Sequence, residues 1–258
     1  MCTTSVLRRV SELQHPDSRP FELVADLYER VRPGYPPEAV RWIAERFDLR
    51  SGRIVVDLGA GTGKLTRSLV ETGAEVLAVE PGDAMRAELE RALPQVKALR
   101  GSAESIPLPD ASVDAITVGQ AFHWFRFDEA LPELHRVLRP GGGVALIWNG
   151  RDHDSPLQNE IKALLEPFVP SGRAVAPHTS SHLAESLLFH SFEQRTFWFV
   201  QELDADALVG RISSISFVAG STPEKRAELE RKLRELAARS GGVVAFPYVT
   251  DVYVSRAA

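Results

Sequence analysis

The sequence predicts an α/β protein built on a doubly wound, mostly parallel sheet. The first indication is the regular alternation of apolar, strand-like runs with amphipathic helical segments between residues 54 and 148. The second is a glycine-rich turn directly after the first of these runs, which is typical of the link between a buried parallel strand and a helix. The third is the length of 258 residues, 44% of them hydrophobic, which suffices for one such domain with a small helical cap.

Composition excludes several functional classes. The formal net charge is −5, so we expect no binding to nucleic acid or to an anionic membrane surface. The single cysteine, Cys2, permits no internal disulfide and favours a reducing compartment. Neither an export signal nor a run of about 18 apolar residues occurs, so the sequence predicts a cytoplasmic protein without a membrane span.

The chain divides into four predicted parts. Residues 1–20 form a loose N-terminus, and residues 21–48 form two helices joined by a proline-rich turn. Residues 49–150 form the alternating α/β core that contains the glycine-rich turn. Residues 151–258 add cap helices and the closing strands of the same sheet, including a late antiparallel strand.

Apolar periodicity predicts the individual elements. Strands are expected at 54–58, 75–80, 97–100, 113–118, 144–148, 192–203 and 243–254. Helices are expected at 21–31, 37–47, 65–72, 83–93, 127–138, 155–168, 204–217 and 223–239. The glycines of 139–143 are expected to cap the helix before them, and Pro247 should lie at a strand start, edge or bulge. Residues 170–190 show no clear period and are predicted as a cap or a mobile loop.

The glycine-rich turn identifies a candidate cofactor site. Residues 54–64 read I-V-V-D-L-G-A-G-T-G-K. The dinucleotide fingerprint would require glycine where Lys64 stands, and a phosphate-binding P-loop would require Ser or Thr where Leu65 stands. Neither motif fits, and a purely structural turn between a strand and a helix remains the alternative. Glycines at such a turn let a polar ligand approach the N-terminus of the following helix.

An acidic residue follows the turn at the distance expected for a ribose contact. Glu80 ends the next strand-like run, about 20 residues after the turn. A carboxylate at the tip of a neighbouring parallel strand can accept hydrogen bonds from both ribose hydroxyls. An exposed glutamate at a strand end is the alternative, and a nicotinamide enzyme would use the same acid.

The pattern D-x-G-x-G-x-G after a strand resembles motif I of the class I S-adenosylmethionine-dependent methyltransferases, which have a Rossmann-like fold. The resemblance implies S-adenosyl-L-methionine as cofactor. It implies contacts from the turn and from the end of the second strand, namely Asp57, Gly59, Ala60, Gly61, Thr62, Gly63, Glu80 and Pro81.

Two further segments resemble the same family. Ser102-Ala103-Glu104 follows the third strand and is similar to the loop that recognises adenine, with serine in place of the usual acid. The pattern Y-x-x-x-R-P-x-Y-P around Tyr28 and Arg32 resembles a lid over the methionine end of the cofactor in a small-molecule branch. Both residues would then approach the methionyl carboxylate. The alternatives are a solvated connector and a capped surface turn.

A histidine between aromatic residues follows the fourth strand. The stretch Q-A-F-H-W-F at 120–125 resembles small-molecule methyltransferases of the trans-aconitate type. The resemblance implies that Gln120 contacts the cofactor and that His123 and Trp124 face the acceptor. Trp148 and Asn149, at the far end of the fifth strand, would overlook the acceptor side. Imidazole can take and give a proton near neutral pH, so His123 is the candidate catalytic residue. A structural histidine packed among aromatics is the alternative.

These patterns predict a methyltransferase that acts on a small-molecule acceptor carrying a carboxylate, hydroxyl or amine. His178 and His182 stand four residues apart, but no further ligand completes a set, so we expect no metal. A catalytically silent cofactor-binding subunit and, less favoured, a nicotinamide-dependent oxidoreductase remain as alternatives. The sequence does not indicate an oligomeric state.

Overall fold

The computed structural model describes residues 32–169 and 181–258, and these residues form one seven-stranded sheet. Its strands are β1 Ile54–Leu58, β2 Glu75–Val79, β3 Lys97–Leu99, β4 Val113–Gly119, β5 Leu138–Arg151, β6 Glu193–Asp204 and β7 Val243–Arg256. The predicted helix at 21–31 and the first part of the predicted loop at 170–190 lie outside the described residues.

Helices connect most of the strands. They are α1 Pro37–Phe47, α2 Lys64–Val70, α3 Asp83–Ala92, α4 Phe127–Val137, α5 Pro156–Leu165, α6 Ser181–Glu185, α7 Ala205–Ser213, α8 Ser216–Ala219 and α9 Pro223–Arg239. Short 3-10 helices lie at Phe122–Trp124 and Glu166–Phe168. Within the described ranges, no helix is both long enough and apolar enough to cross a membrane.

The strand order confirms the predicted fold. The strands lie in the order β3-β2-β1-β4-β5-β7-β6. Neighbours from β3 to β5 are parallel, whereas β7 runs antiparallel to both β5 and β6. The chain direction across the sheet reverses between β1 and β4, and ligands of doubly wound sheets bind at the carboxyl ends of the strands near such a reversal.

Helices cover both faces of the sheet. Alternate side chains of a strand point to opposite faces, and the central strands carry apolar side chains on both, so each face needs a covering layer. Val55 packs with α1 and α2, whereas its neighbour Val56 packs with α4. A third apolar cluster joins α5, α7 and α9 to the end of β6 and the start of β7 and forms the helical cap.

Pro247 lies at an edge position, as predicted. β5 pairs with β7 only as far as Tyr248, so Pro247 is paired with β6 alone.

The glycines at 141–143 do not cap a helix as predicted. The backbone is already extended at Leu138, where β5 begins, so the strand is longer than the expected 144–148. A side-chain carbon on Gly142 would lie 2.8 Å from the carbonyl oxygen of Asp114, and one on Gly143 would lie 2.2 Å from that of Ser255. Close backbone approach at the sheet, and not helix capping, explains these two glycines.

The helix predicted at 204–217 is interrupted. It forms α7 and then α8, with a break at Ser214 and Ile215. The hydroxyl of Ser214 donates to the carbonyl oxygen of Arg211 at 2.8 Å. A side chain that bonds to the preceding turn in this way competes with continued helical hydrogen bonding, which accounts for the break.

Candidate functional site

The glycine-rich turn after β1 has the backbone shape that its sequence predicts. Gly59, Gly61 and Gly63 all have positive φ, at 69°, 58° and 90°. A side-chain carbon on Gly59 would lie 2.7 Å from the Cβ of Ala121, so this position excludes larger residues for two independent reasons. The amides of Gly59 and Ala60 both donate to the carbonyl oxygen of Val79, at 2.8 and 3.2 Å. These bonds tie the turn to the end of β2.

Glu80 lies beside this turn and is held by backbone amides. Its Oε2 accepts from the N–H of Gly61, and its Oε1 accepts from the N–H of Gly82, both at 2.8 Å. Only 8% of Glu80 is exposed, whereas the adjacent Pro81 is exposed. The carboxylate is therefore fixed at the carboxyl end of β2, in contact with the turn. It is not the freely solvated strand-end glutamate of the alternative interpretation.

Asp57, the last polar residue of β1, is buried behind the turn. Its Oδ2 accepts from the hydroxyl of Thr66 at 2.6 Å, and its Oδ1 lies 3.5 Å from the hydroxyl of Thr117. Burial raises the pKa of Asp57 from 3.8 to about 7, with a smaller contribution from the nearby negative charge of Glu80 and opposition from the two threonines. Asp57 thus links the end of β1 to α2 and β4 next to the turn. Within the turn, Thr62 is buried as well.

Replacing Asp57 with Asn should flatten the pH dependence of stability. Because the pKa of Asp57 is higher in the folded state, its protonation favours folding below about pH 4, and this contribution is lost as the pH rises through about 7. The loss has a ceiling of about 4 kcal/mol, at about 1.4 kcal/mol per pKa unit. Urea unfolding should therefore show that the free energy of unfolding falls more between pH 5 and pH 8 for the wild type than for Asp57→Asn.

Asp114→Asn is the matched control for this prediction. Hydrogen bonds from Ile54, Arg53 and Arg139 lower the pKa of Asp114, so this residue does not titrate between pH 5 and 8. The control should retain the wild-type decline. Parallel stability curves for the wild type and Asp57→Asn would show that Asp57 does not titrate in this range.

The loop after β3 lies next to Glu80, because the amide of Glu80 donates to the carbonyl oxygen of Leu99 at 3.0 Å. Ser102 and Ser105 form a small antiparallel bridge that shapes the loop, and Ala103 is buried. Oε1 of Glu104 accepts from the amide of Arg126 at 2.9 Å, at the start of α4. Glu104 is thus engaged in fixing the loop, and Ser102 and Ser105 are the loop residues with a hydroxyl.

Gln120 connects β4 to β5 at the carboxyl edge of the sheet. It is one of the few described non-glycine residues with positive φ, at 60°. Its amide donates to the carbonyl oxygen of Ile147, and its side-chain Nε2 donates to that of Asn149, both at 3.0 Å. A left-handed backbone is uncommon for glutamine and is found most often where the surrounding structure imposes it.

Asn149, which the sequence placed on the acceptor side next to Trp148, joins three segments at this edge. Its Nδ2 donates to the carbonyl oxygen of Gly34 at 2.8 Å, and its Oδ1 accepts from the hydroxyl of Thr250 at 2.7 Å. Its own carbonyl oxygen accepts from Gln120. An amide residue directly after an apolar strand was the available signal, but its long-range partners were not visible in the sequence.

Three predicted acceptor-side residues are close together. His123 lies in the 3-10 helix after β4 and is exposed. Its ring centroid is 4.5 Å from that of Trp124 and 5.3 Å from that of Trp148. Trp148 is 8% exposed and belongs to the core cluster that includes Phe122. An exposed imidazole thus rests against a buried aromatic wall.

The remaining predicted residues lie elsewhere or outside the described ranges. Tyr28 and His178 are not described. Arg32 donates from Nε to the hydroxyl of Ser214 at 3.1 Å and from Nη2 to its carbonyl oxygen at 3.0 Å. His182 stacks on Phe127 with ring centroids 4.1 Å apart. In the part of the chain that the structure describes, no group of three His, Cys, Asp or Glu residues is placed to hold a metal.

The site therefore has two halves at the carboxyl edge of the sheet. The turn after β1, Glu80 and the loop after β3 form one half, and Gln120, His123 and Trp148 at the ends of β4 and β5 form the other. A sheet of this order with a glycine-rich turn and a fixed acid at the end of β2 defines a class I methyltransferase type of cofactor-binding fold.

Comparison with known proteins identifies the family. Residues 56–146 match the family described as a methyltransferase domain. An uncharacterized methyltransferase of Mycobacterium tuberculosis is 39% identical over 236 residues, which cover 89% of this chain and 92% of the relative. The chain belongs to the S-adenosylmethionine-dependent methyltransferases and is an enzyme of that family.

Solved structures agree with this assignment. A protein from Anaeromyxobacter dehalogenans, assigned as a type II methyltransferase, is 28% identical with a TM-score of 0.64, covering 88% of this chain and 97% of that one. A phosphoethanolamine N-methyltransferase of Haemonchus contortus, bound to phosphomonomethylethanolamine and S-adenosylhomocysteine, shares the fold at 15% identity and a TM-score of 0.57. That match covers 96% of this chain and 60% of the other.

Proposed function

We propose that this enzyme transfers the methyl group of S-adenosylmethionine to a small-molecule acceptor at the carboxyl edge of the sheet. The observation that carries the proposal is the buried carboxylate of Glu80, fixed between the amides of Gly61 and Gly82 at the glycine-rich turn. The cofactor would supply an electrophilic methyl group on a sulfonium. The protein's task is to bind, to orient and to exclude water.

The residues of the first half fit an adenosyl group. A carboxylate oxygen accepts more than one hydrogen bond, so Glu80 can bind ribose hydroxyls while its backbone contacts hold it in place. The position of a side-chain carbon on Gly61 would face open space, so this part of the turn can admit the rest of the cofactor. The hydroxyl of Ser102 and the amides of Ala103 and Glu104 would meet the adenine, because this loop borders Glu80.

The methionine end of the cofactor would lie toward the start of the described chain. Tyr28 and Arg32 are the proposed partners of its carboxylate, as the family resemblance implies. Arg32 would exchange or share its contacts with Ser214 to reach it. Gln120 belongs to the second half of the site, at the end of β4, and would border the cofactor near the reacting methyl group.

His123 is the proposed catalytic base for an acceptor that must lose a proton. Its ring is exposed at the mouth of the site and is supported by Trp124 and Trp148. A hydroxyl or amine would transfer its proton to an imidazole nitrogen as the new bond forms. A carboxylate acceptor is already ionised at neutral pH and would need no base. The aromatic side chains would keep water away from the reacting atoms.

Incubation with methyl-labelled S-adenosylmethionine tests this proposal. We expect label to pass from the donor into a compound in the ultrafiltrate of a small-molecule extract, with S-adenosylhomocysteine formed in equal amount. Label that appears only in the retained macromolecules would contradict the small-molecule acceptor. Titration with S-adenosylhomocysteine that gave no binding would contradict the proposed cofactor site.

A further inference from the structure

A cavity adjoins the candidate site at the carboxyl end of β5. It has a volume of about 310 Å³ and lies between the cap helices α5 and α7 and the first half of β7. Its walls are formed by Arg32, Asn149, Gly150, Arg151, Gln158, Ile161, Arg211, Ile212, Ile215, Phe217, Phe246 and Tyr248. Asn149 is shared with the site, because its carbonyl oxygen accepts from Gln120. The size lies at the lower end of the range for small-molecule pockets.

The cavity is strongly basic. Three arginines, Arg32, Arg151 and Arg211, line it, and none of the described lining residues is an Asp or Glu. Like charges that share a small cavity repel each other, and natural proteins usually compensate such charges with carboxylates. Among the described lining residues, no carboxylate compensates Arg151 and Arg211.

Arg211 is held in place by aromatic residues and keeps one nitrogen without a hydrogen-bond partner. Its Nε donates to the hydroxyl of Tyr248 at 2.9 Å, and its guanidinium lies over the rings of Tyr248 and Phe246, at 5.7 and 5.9 Å from their centroids. Its Nη1 is buried and has no hydrogen-bond partner. A buried N–H without a partner is costly, and such groups in native proteins usually meet a ligand or water.

Gln158 supplies a second buried group of this kind. The residue is 2% exposed, and its Nε2 donates to the carbonyl oxygen of Pro247 at 2.7 Å. Its Oε1 is buried and has no hydrogen-bond partner. The cavity thus presents a fixed acceptor oxygen in addition to its guanidinium donors, which suits a ligand that carries a hydroxyl or a bound water beside its anionic group.

Arg151 lines the same cavity as Arg211, and its surroundings disfavour its charged form. Burial lowers its pKa, and the positive charge of Arg211 lowers it further. Both effects oppose the charged form of Arg151 in the protein alone. The charge of an anion between the two guanidiniums would offset both effects, and the anion would accept hydrogen bonds in the planar geometry that arginine offers to carboxylates and phosphates.

We propose that this cavity binds an oxyanion group, carboxylate or phosphate, of the methyl acceptor, with Arg151 and Arg211 as the specificity-determining residues. The inference rests on the proposed function and narrows it to acceptors that carry such a group. The apolar wall of Ile161, Ile215, Phe217 and Phe246 would hold the carbon skeleton beside it. Asn149 and Gln120 then connect the held acceptor to the cofactor side of the site.

Arg151→Met tests the proposal directly. The probes are phenylacetate, phenyl phosphate and the neutral phenylacetamide, each titrated with and without S-adenosylhomocysteine. We expect at least one anion to bind the wild type about tenfold or more tightly than the amide, and Arg151→Met to remove that preference. Which anion binds more tightly distinguishes a carboxylate from a phosphate site. The melting temperature of Arg151→Met should equal or exceed that of the wild type, because the substitution removes a half-buried positive charge that lies beside Arg211.

Arg231→Met is the matched control. Arg231 lies on the exposed face of α9, pairs there with Glu228 and Glu235, and does not line the cavity. The Arg231→Met variant should still bind the anion more tightly than the neutral amide. Equal binding of acid and amide to the wild type, no binding of either anion, or a lower melting temperature for Arg151→Met without loss of anion affinity would overturn the proposal.

Two further readouts separate this proposal from the proposed function. Loss of S-adenosylhomocysteine affinity in Arg151→Met would show that the cavity holds the cofactor's carboxylate and would overturn the acceptor assignment. If the wild type bound the anions but not S-adenosylhomocysteine, the proposed function would fail while the anion site itself stood.

Discussion

Replacing Glu80 with Gln is expected to weaken the binding of S-adenosylhomocysteine by about a hundredfold. The substitution removes the charge that would strengthen the two proposed hydrogen bonds to the ribose, and bonds to a charged group contribute about 1.5–3 kcal/mol each. It also turns a side-chain NH₂ toward one of the two amides, of Gly61 or Gly82, that Glu80 now accepts from. Isothermal titration of both proteins measures the effect.

Glu75→Gln provides the control for this experiment. Glu75 begins the same strand but is exposed at its opposite end. Its substitution should leave the affinity unchanged, while circular dichroism confirms that both variants are folded. Undiminished affinity in folded Glu80→Gln would mean that Glu80 only shapes the turn.

His123→Ala is expected to slow turnover of a hydroxyl or amine acceptor by about a hundredfold. The estimate reflects the usual contribution of a positioned general base. Because His123 lies on the acceptor half of the site, the affinity for S-adenosylhomocysteine should change little. Kinetic and calorimetric assays on the same preparations separate the two effects.

His190→Ala is the matched control for His123. His190 is exposed, and its amide donates to the carbonyl oxygen of Arg256, which pairs with the amino end of β5 and thus lies at the opposite edge of the sheet. It should retain full turnover. A parallel loss of turnover and cofactor affinity in His123→Ala would instead mean that His123 supports the architecture of the site.

Sequence reasoning was most successful where the physics is local. The backbone of Gly59, Gly61 and Gly63 could be predicted, because positive φ at a tight turn strongly favours glycine within a few residues of chain. The position of Glu80 followed from the spacing of two adjacent parallel strands. Both inferences depend on short-range pattern and on one rule of sheet topology.

Long-range contacts account for what sequence reasoning missed. The role of Asn149 depends on Gly34 and Thr250, which are more than 100 positions away along the chain. The basic cavity brings together Arg151 of β5 and Arg211 of α7, which are far apart along the chain. Arg151 lay outside the predicted strand 144–148. The glycines at 142 and 143 resembled a helix cap because the strands that crowd them, β4 and β7, are distant in sequence.

The structure of the protein crystallised with S-adenosylhomocysteine tests the central claim most directly. Our account predicts the ribose hydroxyls within hydrogen-bonding distance of the Glu80 carboxylate, with the adenine against the loop at Ser102. Density for the adenosyl group at another edge of the sheet, or ribose hydroxyls that bind a different residue, would contradict the account.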